Sequence, residues 1–326
     1  MNIAYSTDEN YVRHVYVSLF SLLEKNIAEK EISVYVIDNK ISQESKEALK
    51  SLVESFNTSD NERKIEFIDF SKYEPLLKNA APWGSLSAYG RLFLPEISDI
   101  DRILYIDCDT AVCDSLSDLY NISLDGYALA GVQDNAGPAS RIGVGLNSDE
   151  RYINSGIALI NLDYWREYNA TEKCLEFIKS YNGNVPCADQ GTLNGVFNGK
   201  IFVLPPKYNV MTPIYDFSAD RAAKFFEISN YYNNSEFDEA RQHPVIVHYT
   251  GGFHIRPWYI NSNHPMKDYY RHYMSQSPWK ESYLPETTLG KRTEAMYFAY
   301  RFLPFNLFLM IHRVVRKAKR IIHYEK

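Results

Sequence analysis

Two patterns of hydrophobic residues alternate through the first half of the chain. Short apolar runs bounded by polar residues predict strands, and longer segments with apolar positions three and four residues apart predict helices. The strands are expected at residues 2–6, 32–37 and 65–68, and the helices at 11–25, 42–56 and 86–93. A further apolar strand ends at Asp107. This alternation predicts an α/β domain with a mainly parallel sheet and helices on both faces.

The second half of the chain continues as strands and then changes character. Later strands are expected at residues 128–132, 157–161, 201–204 and 245–248, without an internal repeat or a low-complexity segment. After about residue 280 the composition shifts, so we divide the chain into a domain at 1–280 and a helical extension at 281–326.

The extension combines aromatic, apolar and basic residues. The apolar run 302–311 is interrupted by Pro304 and is followed by five basic residues, Arg313, Arg316, Lys317, Lys319 and Arg320. The run is too short to span a bilayer, which needs about 20 residues. Aromatic residues beside basic ones suit a segment that lies in a membrane interface. The alternatives are a terminal helix packed on the domain or on a partner chain, so a homo-oligomer stays open.

Composition and charge narrow the class of protein. The 326 residues are 45% hydrophobic and 23% charged, with a net charge of −6 and a pI near 5.8, which disfavours nucleic acid as a partner. The four cysteines have no CxxC spacing and form no zinc pattern with histidine. The chain opens directly on a strand, so we expect a cytoplasmic protein with free thiols, with contact at the inner face of the membrane left to the extension.

The most informative feature is a pair of carboxylates, Asp107 and Asp109, directly after a buried strand. In an extended segment they would share a face, and two like charges that close repel unless a cation lies between them. An EF-hand would need a ligand at Ala111 and glycine at Val112, so that loop is excluded. A dehalogenase-type phosphatase, with Asp107 as nucleophile, also places such a pair after an apolar strand and stays as an alternative.

Polar clusters at other predicted strand ends supply the remaining candidates. Asp8 or Asn10 suits hydrogen bonds to a base edge and Tyr11 suits stacking on it, although Asp and Asn also cap helices. His248 is a normal ligand for Mn²⁺ beside two carboxylates. Gly251 and Gly252 allow close approach to a phosphate, and Arg256 supplies a planar cation.

Two further clusters precede a strand and open a helix. Asn154 and Ser155 come before the strand at 157–161, and Asp189 and Gln190 begin a predicted helix through Val196. Side chains of these types suit a ligand rich in hydroxyl groups. Asp189 is equally suited to be the N-cap of that helix.

Taken together and in this order, the motifs resemble those of family 8 glycosyltransferases, the group of glycogenin and bacterial lipopolysaccharide galactosyl- and glucosyltransferases. The resemblance covers about residues 2–258; each motif is weak alone, but five in order are specific. It implies a GT-A fold, a UDP-sugar donor (UDP-glucose or UDP-galactose) and Mn²⁺, with Mg²⁺ as the alternative ion. One departure is the stretch from His248 to Trp258, which is two residues longer than the family pattern and has Arg256 where the family has lysine.

The resemblance also assigns roles to individual residues. Asp107, Asp109 and His248 would bind the metal, and Arg91 would lie near the donor sugar and phosphate. Donor contacts are assigned to Ser6, Thr7, Asp8, Asn10, Tyr11, Cys108, Asp134, Asn154, Ser155, Gly251 and Arg256. Asp189 and Gln190 are the catalytic candidates beside the anomeric carbon.

The sequence therefore predicts a retaining hexosyltransferase that acts on a glycan or lipid-linked glycan acceptor in cell-surface polysaccharide or glycoconjugate synthesis. The alternatives are a catalytically silent nucleotide-sugar binder and the phosphatase, which would act on sugar phosphates.

Overall fold

A computed structural model describes residues 1–78, 80, 85–97 and 100–324, with side chains described through Val315 in the last helix. The strands are β1 Asn2–Asp8, β2 Glu31–Asn39, β3 Glu62–Asp69, β4 Arg102–Ile106, β5 Thr110–Val112, β6 Leu129–Gln133, β7 Ile153–Asn161, β8 Ile201–Leu204, β9 Val210–Met211 and β10 Ile246–His248. The helices are α1 Val12–Lys25, α2 Gln43–Glu54, α3 Ser117–Tyr120, α4 Pro138–Ile142, α5 Leu162–Glu167, α6 Ala170–Ser180, α7 Ala188–Val196, α8 Thr212–Asp216, α9 Ala219–Phe226, α10 Asn234–Gln242, α11 Lys267–Met274, α12 Lys291–Phe302 and α13 Phe305–Tyr324.

Seven strands form the central sheet, in the order β3-β2-β1-β4-β7-β6-β8. All neighbours are parallel except β7, which runs antiparallel to β4 and β6. Successive residues of β1 pack into different hydrophobic clusters: Ile3 and Tyr5 join one cluster and Ala4 the other. Because alternate side chains of a strand face opposite sides, the sheet has a core on each face. The predicted α/β architecture with a mainly parallel sheet is confirmed.

A small second sheet lies beside the central one, in the order β5-β10-β9. The strand expected at 245–248 belongs to this sheet, whereas β5 and β9 were not predicted. They have only three and two residues, which is too short for a periodic signal to stand out. β10 pairs antiparallel with β5 and parallel with β9.

Two local predictions need correction. The helix expected at 86–93 is a 3₁₀ helix, Leu86–Glu96, with Pro95 inside it. The extended segment expected to carry both carboxylates ends at Ile106, and the chain bends at Cys108 and Asp109 before β5 begins. The two carboxylates therefore approach each other across a bend and not on one face of a strand.

The C-terminal helices rest on the segment between β9 and Phe253. Phe308 and Leu309 of α13 are buried in a cluster with Phe217, Phe225 and Phe253. Several large apolar side chains among the described residues of these two helices nevertheless remain exposed, including Phe298 and Met310. No helix among the described residues combines the length and the apolar character that crossing a membrane requires.

Candidate active site

A cleft of about 740 Å³ opens along the edge of the central sheet where β1, β4 and β6 end. Its walls come from the turn after β1, the 3₁₀ helix, the bend after β4, the start of β7 and the first turn of α7. The predicted site residues among its lining are Ser6, Thr7, Asp8, Asn10, Tyr11, Arg91, Asp107, Cys108, Asp109, Asp134, Asn154, Ser155, Asp189 and Gln190. Polar side chains from six separate parts of the sequence thus meet at one edge, as open α/β sheets arrange their ligand sites.

The three predicted metal ligands converge beside this cleft, where Asp107 and Asp109 belong to its lining and His248 does not. Ligand atoms of Asp107, Asp109 and His248 all lie within 4.8 Å of one another. His248 Nε2 is 3.1 Å from Asp109 Oδ1 and 3.9 Å from Asp107 Oδ2. A Cβ added to Gly156 would meet the His248 ring and Asp107 Oδ2, so glycine keeps this space open. Two carboxylates and one imidazole around such a space fit a cation of the Mn²⁺ type.

The small sheet is what brings these ligands together. His248 ends β10 and is paired with Thr110 of β5, directly after the bend that carries Asp109. The backbone N–H of Tyr249 donates to the carbonyl of Asp109 at 2.9 Å. A pairing of only three residues on each strand thus places two sequence-distant motifs side by side.

The charges in this cluster are strongly coupled. Burial alone would lower the pKa of His248, but attraction to Asp109 and Asp107 outweighs it and raises that pKa above its ordinary value. Burial would likewise raise the pKa of Asp109, yet His248 and Arg256 hold it well below its usual range. The two carboxylates therefore favour positive charge at this position, which a bound cation would supply.

Arg91 is held by the protein at every donor group. Its side chain is 3% exposed and donates to Asp107 at 2.8 Å, and its Nε lies 3.2 Å from Asp189 Oδ2. Further bonds reach the Ser155 carbonyl at 2.5 Å and the Tyr105 hydroxyl at 3.1 Å, and the guanidinium lies 3.9 Å from the Tyr105 ring centroid. This pairing keeps the pKa of Arg91 raised although burial opposes it. Arg91 thus lines the cleft, and its bonds orient two carboxylates there.

A second network surrounds the catalytic candidates. Asn154 Nδ2 donates to Asp134 at 2.9 Å and to Gln190 Oε1 at 3.0 Å, while the Ser155 hydroxyl donates to Asp189 at 3.0 Å. Burial raises the pKa of both Asp134 and Asp189. These side chains present a prearranged polar wall to the cleft.

The helix cap suggested for Asp189 is wrong, because Cys187 occupies that position and Asp189 lies in the first turn of α7. Cys187 and Ala188 both adopt left-handed backbone conformations, with φ of 60° and 52°. Two such residues in a row cost free energy. This backbone turns Asp189 and Gln190 toward the cleft.

The turn between β1 and α1 carries the residues expected to hold a base. Asp8 Oδ1 accepts a bond from the N–H of Asn10 at 3.0 Å, which forms a local turn. α1 begins after Tyr11 without a side-chain cap, so neither Asp8 nor Asn10 serves as the N-cap. The Tyr11 ring is 40% exposed and available for stacking. Cys108 is buried, and burial raises the pKa of its thiol.

Of the predicted site residues after β10, some lie near the metal cluster and others do not. Arg256 Nη2 lies 3.9 Å from Asp109 Oδ2, and Arg256 also opposes the rise that burial causes in the pKa of Tyr11. Gly251 is exposed and is not among the cleft-lining residues, and a Cβ there would meet open space. A Cβ on Gly252 would instead meet Asp216 and Thr212. Of the two glycines, Gly252 is the one that sterics require.

Sequence reasoning missed two residues that the site uses. Tyr105 lines the cleft and supports Arg91 through its ring and hydroxyl. Asn209 is fully buried and bonds both His248 and Asn154. Tyr105 could have been noticed as a polar aromatic two residues before Asp107, but no motif in the sequence marks Asn209.

Comparison with known proteins gives a consistent picture. The model of Glycosyl transferase family 8 matches residues 2–261. General stress protein A of Bacillus subtilis is 32% identical over 287 residues, which cover 86% of this chain and 94% of that protein. Lipopolysaccharide 1,2-glucosyltransferase of Escherichia coli K12 is 28% identical and covers 86% and 79%. The crystal structure of the galactosyltransferase LgtC with donor and acceptor sugar analogs shares the fold at a TM-score of 0.70 and 23% identity, over 86% of this chain and 99% of that one.

Proposed function

The chain belongs to glycosyl transferase family 8, and we propose that it transfers glucose or galactose from a UDP-sugar to a glycan acceptor with retention of configuration. It is a glycosyltransferase of the GT-A fold. Membership replaces the phosphatase alternative, in which Asp107 would be a nucleophile.

The observation that carries the proposal is the order of groups along one cleft. The exposed Tyr11 lies near Arg256 and Asp109, Asp109 belongs to the cluster with Asp107 and His248, and Arg91 links Asp107 to Asp189. A UDP-sugar has the same order: a flat base, an anionic diphosphate and a hexose. The chemistry of the cleft therefore complements the donor along its whole length.

The metal ligands fit a divalent cation because two oxygens and one nitrogen converge beside Gly156. When bound there, such an ion would supply Lewis-acid stabilisation of the departing diphosphate. Arg256 adds a cation near Asp109 that can bear on the same developing charge.

The chain's own residues orient the sugar. Asn154 fixes Gln190 and Asp134, and Arg91 fixes Asp189, so these groups face the hexose without reorganising during the reaction. Transfer passes through an oxocarbenium-like state, which carboxylates and amide oxygens held beside the anomeric carbon stabilise. Asp189 and Gln190 are the residues we assign to that position.

The test follows UDP release from UDP-glucose, UDP-galactose and their N-acetyl forms, with Mn²⁺, with Mg²⁺ and with EDTA. We expect metal-dependent release from one donor, which names the sugar and the ion. Absence of both metal-dependent release and metal-dependent UDP binding would contradict the proposal; binding without release or transfer would indicate a silent binder.

For the acceptor side we propose peripheral contact with anionic lipid through residues 291–326. Exposed apolar side chains on α12 and α13, namely Phe298, Phe302, Met310 and Val314, support it. The sequence beyond Val315 adds Arg316, Lys317, Lys319 and Arg320, which complement anionic headgroups. A lipid-linked glycan would be presented at such a surface.

Vesicle flotation tests this contact. We expect the protein to float with phosphatidylglycerol vesicles and not with phosphatidylcholine alone, and the double change Phe298→Ser with Met310→Ser to abolish it. Ile142→Ser is the matched control, since Ile142 is 61% exposed outside these helices. Equal flotation of the double variant and the control would contradict the membrane proposal.

A further inference from the structure

Asn209 is a buried residue between His248 of the metal cluster and Asn154 of the hydrogen-bond network around Gln190. It follows a short 3₁₀ turn, Pro206–Tyr208, immediately before β9, and is 0% exposed. Its Oδ1 lies 3.0 Å from Nδ1 of His248, and its Nδ2 donates to Asn154 Oδ1 at 2.9 Å. It does not line the cleft, so it acts on a ligand only through its two neighbours.

The bond to His248 decides which ring nitrogen is available. An amide oxygen only accepts hydrogen bonds, so Nδ1 of His248 carries the hydrogen. Nε2 is the nitrogen that faces Asp107 and Asp109. A neutral imidazole with hydrogen on Nδ1 has its lone pair on Nε2, where a cation would be bound. Partners of this kind commonly orient ligand histidines and raise their basicity.

The bond to Asn154 extends the link to the sugar end. Asn154 Oδ1 also accepts from the N–H of Gly156 at 3.0 Å, and its Nδ2 donates to Asp134 and Gln190. With both acceptor sites of Oδ1 occupied, the amide of Asn154 is held in one orientation. A continuous series of hydrogen bonds therefore runs from His248 through Asn209 and Asn154 to Gln190.

We propose that Asn209 is a positioning residue that holds His248 in its metal-binding tautomer and, through Asn154, aligns Gln190 with the metal cluster. This inference rests on the proposed metal-dependent transfer. If so, the amide oxygen of Asn209, which bonds His248, serves metal binding, and its amide nitrogen, which bonds Asn154, serves sugar transfer. Substitutions can then separate the two roles.

Two substitutions distinguish the bond to His248 from the bond to Asn154. Asn209→Asp keeps an acceptor for His248 but removes the donor to Asn154, so we expect Mn²⁺ affinity within about threefold of the parent and a clear fall in kcat. Asn209→Leu has similar volume and loses both hydrogen bonds. We therefore expect the same fall in kcat and, in addition, a fall in Mn²⁺ affinity of about 10- to 100-fold, the usual effect of removing such a partner.

The control is Asn26→Leu. Asn26 is also buried and also bonds through both ends of its amide, to the Leu22 carbonyl and the Leu116 N–H, but it touches none of the site residues. It should lose comparable stability in thermal unfolding while Mn²⁺ affinity stays at the parent value.

Mn²⁺ binding is measured without turnover, from the electron paramagnetic resonance signal of free Mn²⁺ during titration in the presence of UDP. Electron spin-echo modulation from ¹⁴N reports whether a histidine nitrogen is bound. We expect clear nitrogen modulation in the parent and Asn209→Asp proteins and a weakened signal in Asn209→Leu.

The outcomes separate this inference from the proposed function. If the parent binds Mn²⁺ and Asn209→Leu binds it equally well, with the same nitrogen modulation, the role of Asn209 is refuted and the transferase proposal stands. The role is also refuted if Asn26→Leu weakens Mn²⁺ as much as Asn209→Leu. If the parent itself binds no Mn²⁺ with UDP, the metal-dependent function fails and the inference fails with it.

Discussion

The cleft and the C-terminal helices differ in which kinds of side chain they bury and which they expose. In the cleft, charged groups are withdrawn from water and paired: Arg91 is buried between Asp107 and Asp189. In the C-terminal helices, apolar groups are left in water: Phe298 is 64% exposed and Met310 is 57% exposed. Burying charged groups and exposing apolar groups to water both raise the free energy of the folded chain when nothing is bound to it.

The difference indicates two modes of recognition. Buried, mutually bonded polar groups cannot rearrange cheaply, so the polar groups of the cleft are preorganised for the donor proposed above. Exposed apolar side chains on helices place few geometric demands on what covers them. We infer that the chain is selective for its donor in the cleft and tolerant of the surface against which its last helices lie.

The largest expected effect comes from removing a metal ligand without changing shape. Asp109→Asn should lower transfer with Mn²⁺ by at least about a thousandfold, because Lewis-acid stabilisation is worth several kcal/mol. Asp125→Asn, at an exposed position, should leave the rate unchanged. Activity of Asp109→Asn within tenfold of the parent would contradict the metal assignment.

Removing Arg91 from its ion pairs in the cleft should destabilise the fold. Arg91→Met leaves the buried carboxylate of Asp189 and the partly exposed carboxylate of Asp107 without the cation they share, and breaking such a pair costs about 3–5 kcal/mol. The free energy of unfolding from urea titration should fall by that order in the absence of metal. A fall below about 1 kcal/mol would show that water reaches these carboxylates once Arg91 is gone.

Helix α13 contains both a buried and an exposed apolar residue, Phe308 and Met310. Phe308 is 2% exposed and stacks on Phe225, with ring centroids 5.6 Å apart, so Phe308→Ala should cost about 3 kcal/mol of stability. Met310→Ala should cost no more than about 0.5 kcal/mol. Equal and small effects in thermal unfolding would mean that α13 does not rest on the domain in solution.

Apart from the Met310 control, the smallest expected effect is a pH dependence of stability carried by His14. Its side chain bonds Tyr270 and packs on Trp258, and burial lowers its pKa to about 3. Between that value and the ordinary 6.5 the unfolded chain binds the extra proton, so stability is full above pH 6.5 and falls as pH decreases.

Urea unfolding at pH 7.5 and 5.5 measures this effect. The parent should lose about 1 kcal/mol more than His14→Gln over that step. Identical losses in the two proteins would show that His14 is protonated in the folded state.

Regular elements and motifs were predictable because their signals are local. The first strand and helix are confirmed at Asn2–Asp8 and Val12–Lys25, since apolar periodicity depends on neighbours a few residues apart. The pair Asp107 and Asp109 was recognisable from spacing alone. The bend between them, the 3₁₀ helix at Leu86–Glu96 and the short strands β5 and β9 were missed, because packing and not propensity fixes them.

The sequence by itself determined the α/β class, the family and most of the side chains that line the cleft. Only the tertiary structure decided three further features. The donor groups of Arg91 are all bonded to protein acceptors, the carboxylates of Asp107 and Asp109 meet His248, and Asn209 links His248 to Asn154. These bonds link residues far apart in the chain: 139 positions separate His248 from Asp109, and 55 separate Asn209 from Asn154. Periodicity encodes the face on which a side chain lies, whereas its hydrogen-bond partner depends on which strands become neighbours after folding.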